Sequence, residues 1–175
     1  MADMVTELLN GIIEKGQAKL YKRGEHVLEA GAIERHLYVI RSGLVRAYYL
    51  NEFEEHTIRF GYQGSIINSL HSYLSEQPSE LYLEVLKNTE LVAIRKTVLY
   101  EHLKEQQLFE TYTKVLEDLA IQQIERELDL LTHSPFERYQ RVLKRSPHLF
   151  NEAPAKYIAS YLRMTPETLS RVRNT

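Results

Sequence analysis

The 175-residue sequence contains no cysteine. That absence excludes disulfides, thiolate zinc sites, cysteine-held iron–sulfur clusters and cysteine nucleophiles. It fits a reducing compartment, and a cytoplasmic location is expected. No apolar run approaches the ~20 residues that cross a bilayer, so no membrane partner is expected. The N-terminal stretch carries Asp3 and Glu7 and lacks a basic start followed by an apolar run, which argues against a secretory signal. The seven histidines form no His-x-His or His-Glu-x-x-His pair. A metal-dependent barrel enzyme would want such a cluster. Neither a Walker loop nor a Gly-x-Ser-x-Gly elbow is present. The chain is therefore read as a non-enzyme with no metal and no cofactor.

What is present is an ordinary globular mixture, 43% hydrophobic and 26% charged, with a net charge of −2. The charge is unevenly placed. Between residues 134 and 175 stand Arg138, Arg141, Lys144, Arg145, Lys156, Arg163, Arg171 and Arg173 against only Glu137, Glu152 and Glu167. Residues 99–131 reverse the balance. A basic block behind an acidic segment suits a separate polyanion-binding module; chance segregation of solvated faces explains the charge equally well.

The first half reads as short strands rich in Val, Ile, Leu and Tyr, at 19–21, 26–30, 36–41, 44–51, 56–62, 81–86 and 89–94, with glycines near their ends. This predicts an antiparallel sandwich or barrel. Gly43 reads as a turn between two of them. The second half reads as helices: a short one at 98–106 and a long one at 107–131 with one apolar stripe. At ~1.5 Å per residue the long helix would run roughly 40 Å. Its stripe could lie on the barrel or pair with a second copy across a two-fold axis. Pairing is favoured, through Leu116, Ala120, Ile124 and Leu128, because the stripe outruns one small barrel. Ser134-Pro135-Phe136-Glu137 then starts a new helix with a cap, a first-turn proline and a capping-box glutamate.

Residues 155–172 carry the functional reading. Apolar residues at 158, 162, 164, 169 and 172 fit two short helices across a tight turn, with small Ala159 at the closest approach. Thr165 is a natural N-cap and Pro166 a natural first helical residue. Glu167, Thr168, Ser170, Arg171 and Arg173 then project from the last helix, where a recognition helix meets base edges. The plain alternative is an ordinary helical hairpin with a polar wet side.

The run Tyr157-Ile158-Ala159-Ser160-Tyr161-Leu162, followed by Thr165-Pro166-Glu167-Thr168-Leu169-Ser170-Arg171-Val172-Arg173, resembles bacterial regulators of the Crp–Fnr superfamily. Lys22-Arg23-Gly24-Glu25 and the stretch from Leu37 to Tyr49 resemble the start of that superfamily's cyclic-nucleotide-binding barrel. The resemblance implies an α+β chain. A jelly-roll, cyclic-nucleotide-binding-like antiparallel β-barrel would occupy 1–106, a dimerisation helix 107–132 and a helix-turn-helix domain 133–175. It also implies a homodimer that regulates transcription, with double-stranded DNA, RNA polymerase and a small-molecule effector as partners. Glu167, Ser170 and Arg171 match the superfamily's DNA-reading Glu-x-x-Ser-Arg group. With the chain ending at Thr175, phosphate contacts are expected from Lys156, Ser160 or Arg173 rather than from a β-hairpin wing.

The sequence departs from the pattern in two further ways. Arg163 stands in the turn where glycine is common, and a left-handed residue there costs roughly 1 kcal/mol relative to glycine. The nucleotide cassette, residues 64–83, contains no Arg or Lys. Ser69 and Ser79 stand where the resemblance places a ribose-binding Glu and a phosphate-binding Arg. A buried phosphate needs a paired cation, so the effector is expected not to be cyclic AMP, or to be absent. Arg59, Asn68, Ser69, His71, Ser72 and Ser79 are the expected pocket. A small-molecule-binding barrel whose helices serve only for assembly is the alternative function.

Overall fold

The computed structural model describes residues 2–174, with side chains from residue 6 onward. Helix α1 (Ala2–Leu9) and a 3₁₀ turn (Ile13–Lys15) precede six strands: β1 (Gln17–Tyr21), β2 (His26–Leu28), β3 (His36–Asn51), β4 (Glu54–Tyr62), β5 (Ile66–Ile67) and β6 (Leu81–Arg95). Helix α2 (Leu70–Ser75) lies between the last two. The strands form one antiparallel sheet in the order β1-β6-β3-β4, with β2 added on β6 and β5 on β3. Helices α3 (Lys96–Glu105), α4 (Phe109–Leu131), α5 (Pro135–Arg145), α6 (Leu149–Glu152), α7 (Ala155–Tyr161) and α8 (Pro166–Arg173) follow. None is long and apolar enough to cross a membrane, among the described residues.

The two long strands are the frame. β3 pairs with β6 from His36–Arg95 to Tyr49–Leu81, and the register shifts three times between Ile40 and Val45. Such bulges bend a strand and increase its twist, which lets both faces of one sheet be covered. Alternation then sorts the side chains. Tyr38, Ile40, Val45 and Ala47 face the roll's interior with Leu83, Val85, Leu91 and Ala93. Leu37 and Val39 face outward under Leu8, Leu9 and Ile12, α3 and the first half of α4.

Two sequence expectations change here. Residues 36–41 and 44–51 are one strand, as are 81–86 and 89–94. Gly43 makes a bulge, not a turn. Its φ is +98°, and a Cβ there would clash with Thr89 Oγ1 and come within 2.6 Å of Asn88 O. Bulges and tight turns use the same left-handed glycine, so the residue alone does not distinguish them. The long helix starts at Phe109 rather than 107, because Gln107 is left-handed (φ +56°) and separates α4 from α3.

Helix α4 changes role along its length. Tyr112, Val115 and Leu119 are buried on the sheet side, and Leu116 packs partly against the same core. Beyond them, Ala120, Ile121, Ile124, Leu128 and Leu131 form an exposed apolar stripe, with Ile124 58% exposed. On the opposite side Arg126 and Asp129 are buried against the C-terminal helices. The seam expected at Leu116, Ala120, Ile124 and Leu128 therefore divides: Leu116 is largely spent on the sheet, and the other three remain open.

The substitution Gly43→Ala places a Cβ into the β3–β6 contact and strains the backbone. We expect a loss of at least about 2 kcal/mol, read as a lowered urea midpoint with an unchanged m-value.

Candidate nucleic-acid interface and effector pocket

The C-terminal helices enclose their own core of Tyr139, Val142, Leu149, Ile158, Ala159, Leu162 and Leu169. The two expected N-caps form. Ser134 accepts from the Glu137 N–H at 3.3 Å at the start of α5, and Thr165 accepts from the Thr168 N–H at 3.2 Å at the start of α8. Ala159 is buried where the helices meet. Arg163 is left-handed (φ 52°), and the Met164 N–H donates to Ala159 O at 3.0 Å, closing α7 in the manner of a Schellman motif.

Buried arginines secure that turn. Arg138 Nη1 donates to Leu162 O at 2.8 Å and to Arg163 O at 3.1 Å. Arg126 Nη2 donates to Tyr161 O, with the guanidinium stacked 3.8 Å from the Tyr161 ring. Three carbonyls left open at the end of α7 thus point at two cations, the favourable sign for a helix C-terminus. Asp129, fully buried on α4, takes Arg141 at 2.9 Å and also Arg145. Arg163 contacts His56 on β4. Five of these guanidinium groups therefore serve structure, and four of them belong to the basic block read from the sequence.

The first helix of the pair lies against edge strand β4. Ser160 Oγ donates to Glu55 O and accepts from the Thr57 N–H, both at 3.0 Å. Ser160, expected at a phosphate, spends its hydroxyl on the sheet. Phe60 meets the Tyr161 ring edge-on at 5.6 Å. Arg46, 1% exposed, is sandwiched between Tyr48 at 4.2 Å and Tyr157 of α7 at 4.0 Å. It pairs with Glu84 at 2.6 Å and with Glu55. Lys87 and Glu152 add a 2.6 Å pair at the surface. The sequence reading missed Arg46, although a charge inside Leu44-Val45-Arg46-Ala47-Tyr48 was its signal.

The other expected DNA contacts remain outside. Lys156, Thr165, Glu167, Ser170, Arg171 and Arg173 are exposed, and Thr168 is half-buried. Arg171 Nη2 lies 3.3 Å from Thr168 Oγ1, which braces it along the helix.

The cassette is compact. Ser79 Oγ lies 2.8 Å from Ser69 Oγ and accepts from the Leu81 N–H at 3.0 Å; both serines are buried. Ser72 donates to Gln77 O at 2.5 Å and accepts from the Glu34 N–H at 2.9 Å. Glu34, which sequence reasoning did not single out, is buried nearby, and burial pushes its carboxyl above the ordinary range. His71 is exposed, so it does not join these groups. Asn68 lines a cavity of only about 20 Å³ between the sheet and α4, room for about one water. Arg59 borders that cavity and reaches Gln122 Oε1 of α4 at 3.4 Å, rather than Ser69 or Ser79. The structure thus does not gather the six expected pocket residues around one space.

These features match known proteins. The sequence model of the cyclic nucleotide-binding domain matches residues 18–106, about half of the chain. No curated protein matches by sequence. Among solved structures, the catabolite activator protein of Thermus thermophilus is similar over 98% of this chain and 85% of its own, with 22% identity and a TM-score of 0.62. A mutant of CooA from Carboxydothermus hydrogenoformans is similar over 97% and 82%, with 18% identity and a TM-score of 0.75. The regulator CLP of Xanthomonas campestris, described as responsive to c-di-GMP, is similar over 97% and 90%, with 15% identity and a TM-score of 0.66. With its rolled antiparallel sheet, long helix and C-terminal helices in that order, the chain belongs to the cyclic nucleotide-binding domain family and has the fold of Crp–Fnr regulators.

Proposed function

We propose that the chain is a sequence-specific, DNA-binding transcription regulator that acts as a homodimer and takes an effector other than cyclic AMP, or none. The observation that carries this reading is helix α8. It begins at a capped Thr165-Pro166 and carries Glu167, Ser170 and Arg171 exposed on its first turns. Arg suits guanine O6 and N7, and Glu suits cytosine N4. The homodimer rests on the exposed stripe of α4, an apolar face that a monomer leaves wetted. The effector reading rests on the cassette, where Ser69 and Ser79 satisfy each other, no Arg or Lys stands between residues 64 and 83, and Glu34 is buried alongside. The similar regulators support the class by fold.

Selection of duplexes from a random pool tests the reading. A palindrome with half-sites about 34–36 Å apart is expected. On that site Arg171→Ala should cost about 1–3 kcal/mol and relax one position, whereas Lys156→Ala should weaken all duplexes evenly and flatten the salt slope. No enrichment at any salt concentration would favour the small-molecule module instead.

The dimer is tested separately. Ile124→Lys places a charge in the α4 seam. In sedimentation equilibrium the wild type should be dimeric at micromolar concentration and the variant monomeric; a monomeric wild type would remove the homodimer from the reading.

A further inference from the structure

A cavity of about 330 Å³ lies where β4, the second half of α4 and the C-terminal helices meet. Its wall includes Arg59, Arg126 and Arg145, together with Gln122, Tyr161 and a single acid, Glu125. The three cations are not equally paired. Arg145 pairs with Asp129, a carboxylate it shares with Arg141, and lies 3.7 Å from Glu125. Arg126 and Arg59 take part in no ion pair among the described residues. Arg126 is 6% exposed, and its Nη1 is buried without a hydrogen-bond partner among the described residues. Arg59 has Gln122 Oε1 at 3.4 Å, a long contact to a neutral acceptor. Holding two guanidinium groups in a partly enclosed space without a direct ion pair is expensive, since each loses hydration and only more distant carboxylates, such as Asp129 for Arg126, oppose its charge.

We propose that this cavity binds a small anion with two or more negative charges, borne on phosphate or carboxylate groups, and that Arg59 and Arg126 hold it. Planar guanidinium forks match both groups in bidentate geometry. The volume falls at the low end of ligand pockets, ~300–1,000 Å³, which suits a small metabolite better than a dinucleotide. The site differs from the cassette: none of Asn68, Ser69, His71, Ser72 or Ser79 lines it. Because its walls come from the sheet, the long helix and the C-terminal unit, an occupant would touch all three.

Thermal unfolding of the full chain, followed by fluorimetry and calorimetric titration, provides the test. The probes are sodium pyrophosphate and sodium citrate, each against sodium chloride at equal ionic strength to remove general screening. At about tenfold excess over the dissociation constant, at least one probe should raise the midpoint by about 3–5 °C beyond the chloride control. Which probe does so separates phosphate from carboxylate chemistry. Arg59→Gln and Arg126→Gln should each weaken that binding by about tenfold or more. Arg126 also caps α7, so Arg59→Gln, which removes no ion pair, keeps the test readable if Arg126→Gln folds poorly. A shift no larger than that of chloride for both probes, or the same affinity in Arg59→Gln as in wild type, would overturn the proposal. The titration contains no DNA, so its outcome is independent of the DNA-binding reading.

Discussion

Strand β4 ends the sheet, and an edge strand offers unpaired backbone groups to anything that can bond them. The Ser160 hydroxyl meets two of them at once, Glu55 O and the Thr57 N–H. One small side chain thereby closes part of the edge and fixes how the C-terminal helices sit on the sheet. The remaining contacts follow from that placement. Tyr157 arrives over Arg46, Tyr161 over Phe60, and Arg163 beside His56. With α7 turned toward the sheet, the first turns of α8 are turned outward.

This junction is polar. Arg46 brings a nearly fully buried charge to it and is kept there by two carboxylates and two aromatic faces. Charges in such positions offset their desolvation only when the geometry is complete, so the contact is specific without being strongly adhesive. Interfaces of this composition resemble those between domains that move relative to one another more than those of a single hydrophobic core. The apolar cores lie on either side of it, one set on the sheet and one inside the C-terminal helices, with Phe60 of β4 packing against the latter.

Much of this was legible in the residues because local chemistry decided it. Thr165-Pro166 and Ser134-Pro135 mark helix starts by hydrogen bonding and a preset φ, and nothing distant overrides them. The alternation in β3 and β6 was equally clear, but the bulge at Gly43 was read as a turn because both need the same backbone conformation. The N-terminal segment carries its signal in Leu8 and Leu9 at the end of α1 and Ile12 just after it, yet only the core beneath shows what these apolar residues are for. The basic block was the least legible feature. Arg138 and Lys156 look alike in sequence; one is buried on the carbonyls of a turn and the other is exposed. The cassette was read through its missing cations, whereas Glu34, far along the chain from Ser79, became part of that site only through folding.

Helix α4 has the mechanics of a beam held at both ends. Its first half is fixed in the sheet-side core as far as Leu119, and the remaining twelve residues, roughly 18 Å at the usual rise, carry the C-terminal unit through Arg126 and Asp129. A tilt of about 10° about the first half would move the last turn by about 3 Å, as far as the full length of the Ser160 hydrogen bonds that tie the C-terminal unit to β4. Movement of the sheet-side core and release of the β4 edge are thus coupled through one rigid rod.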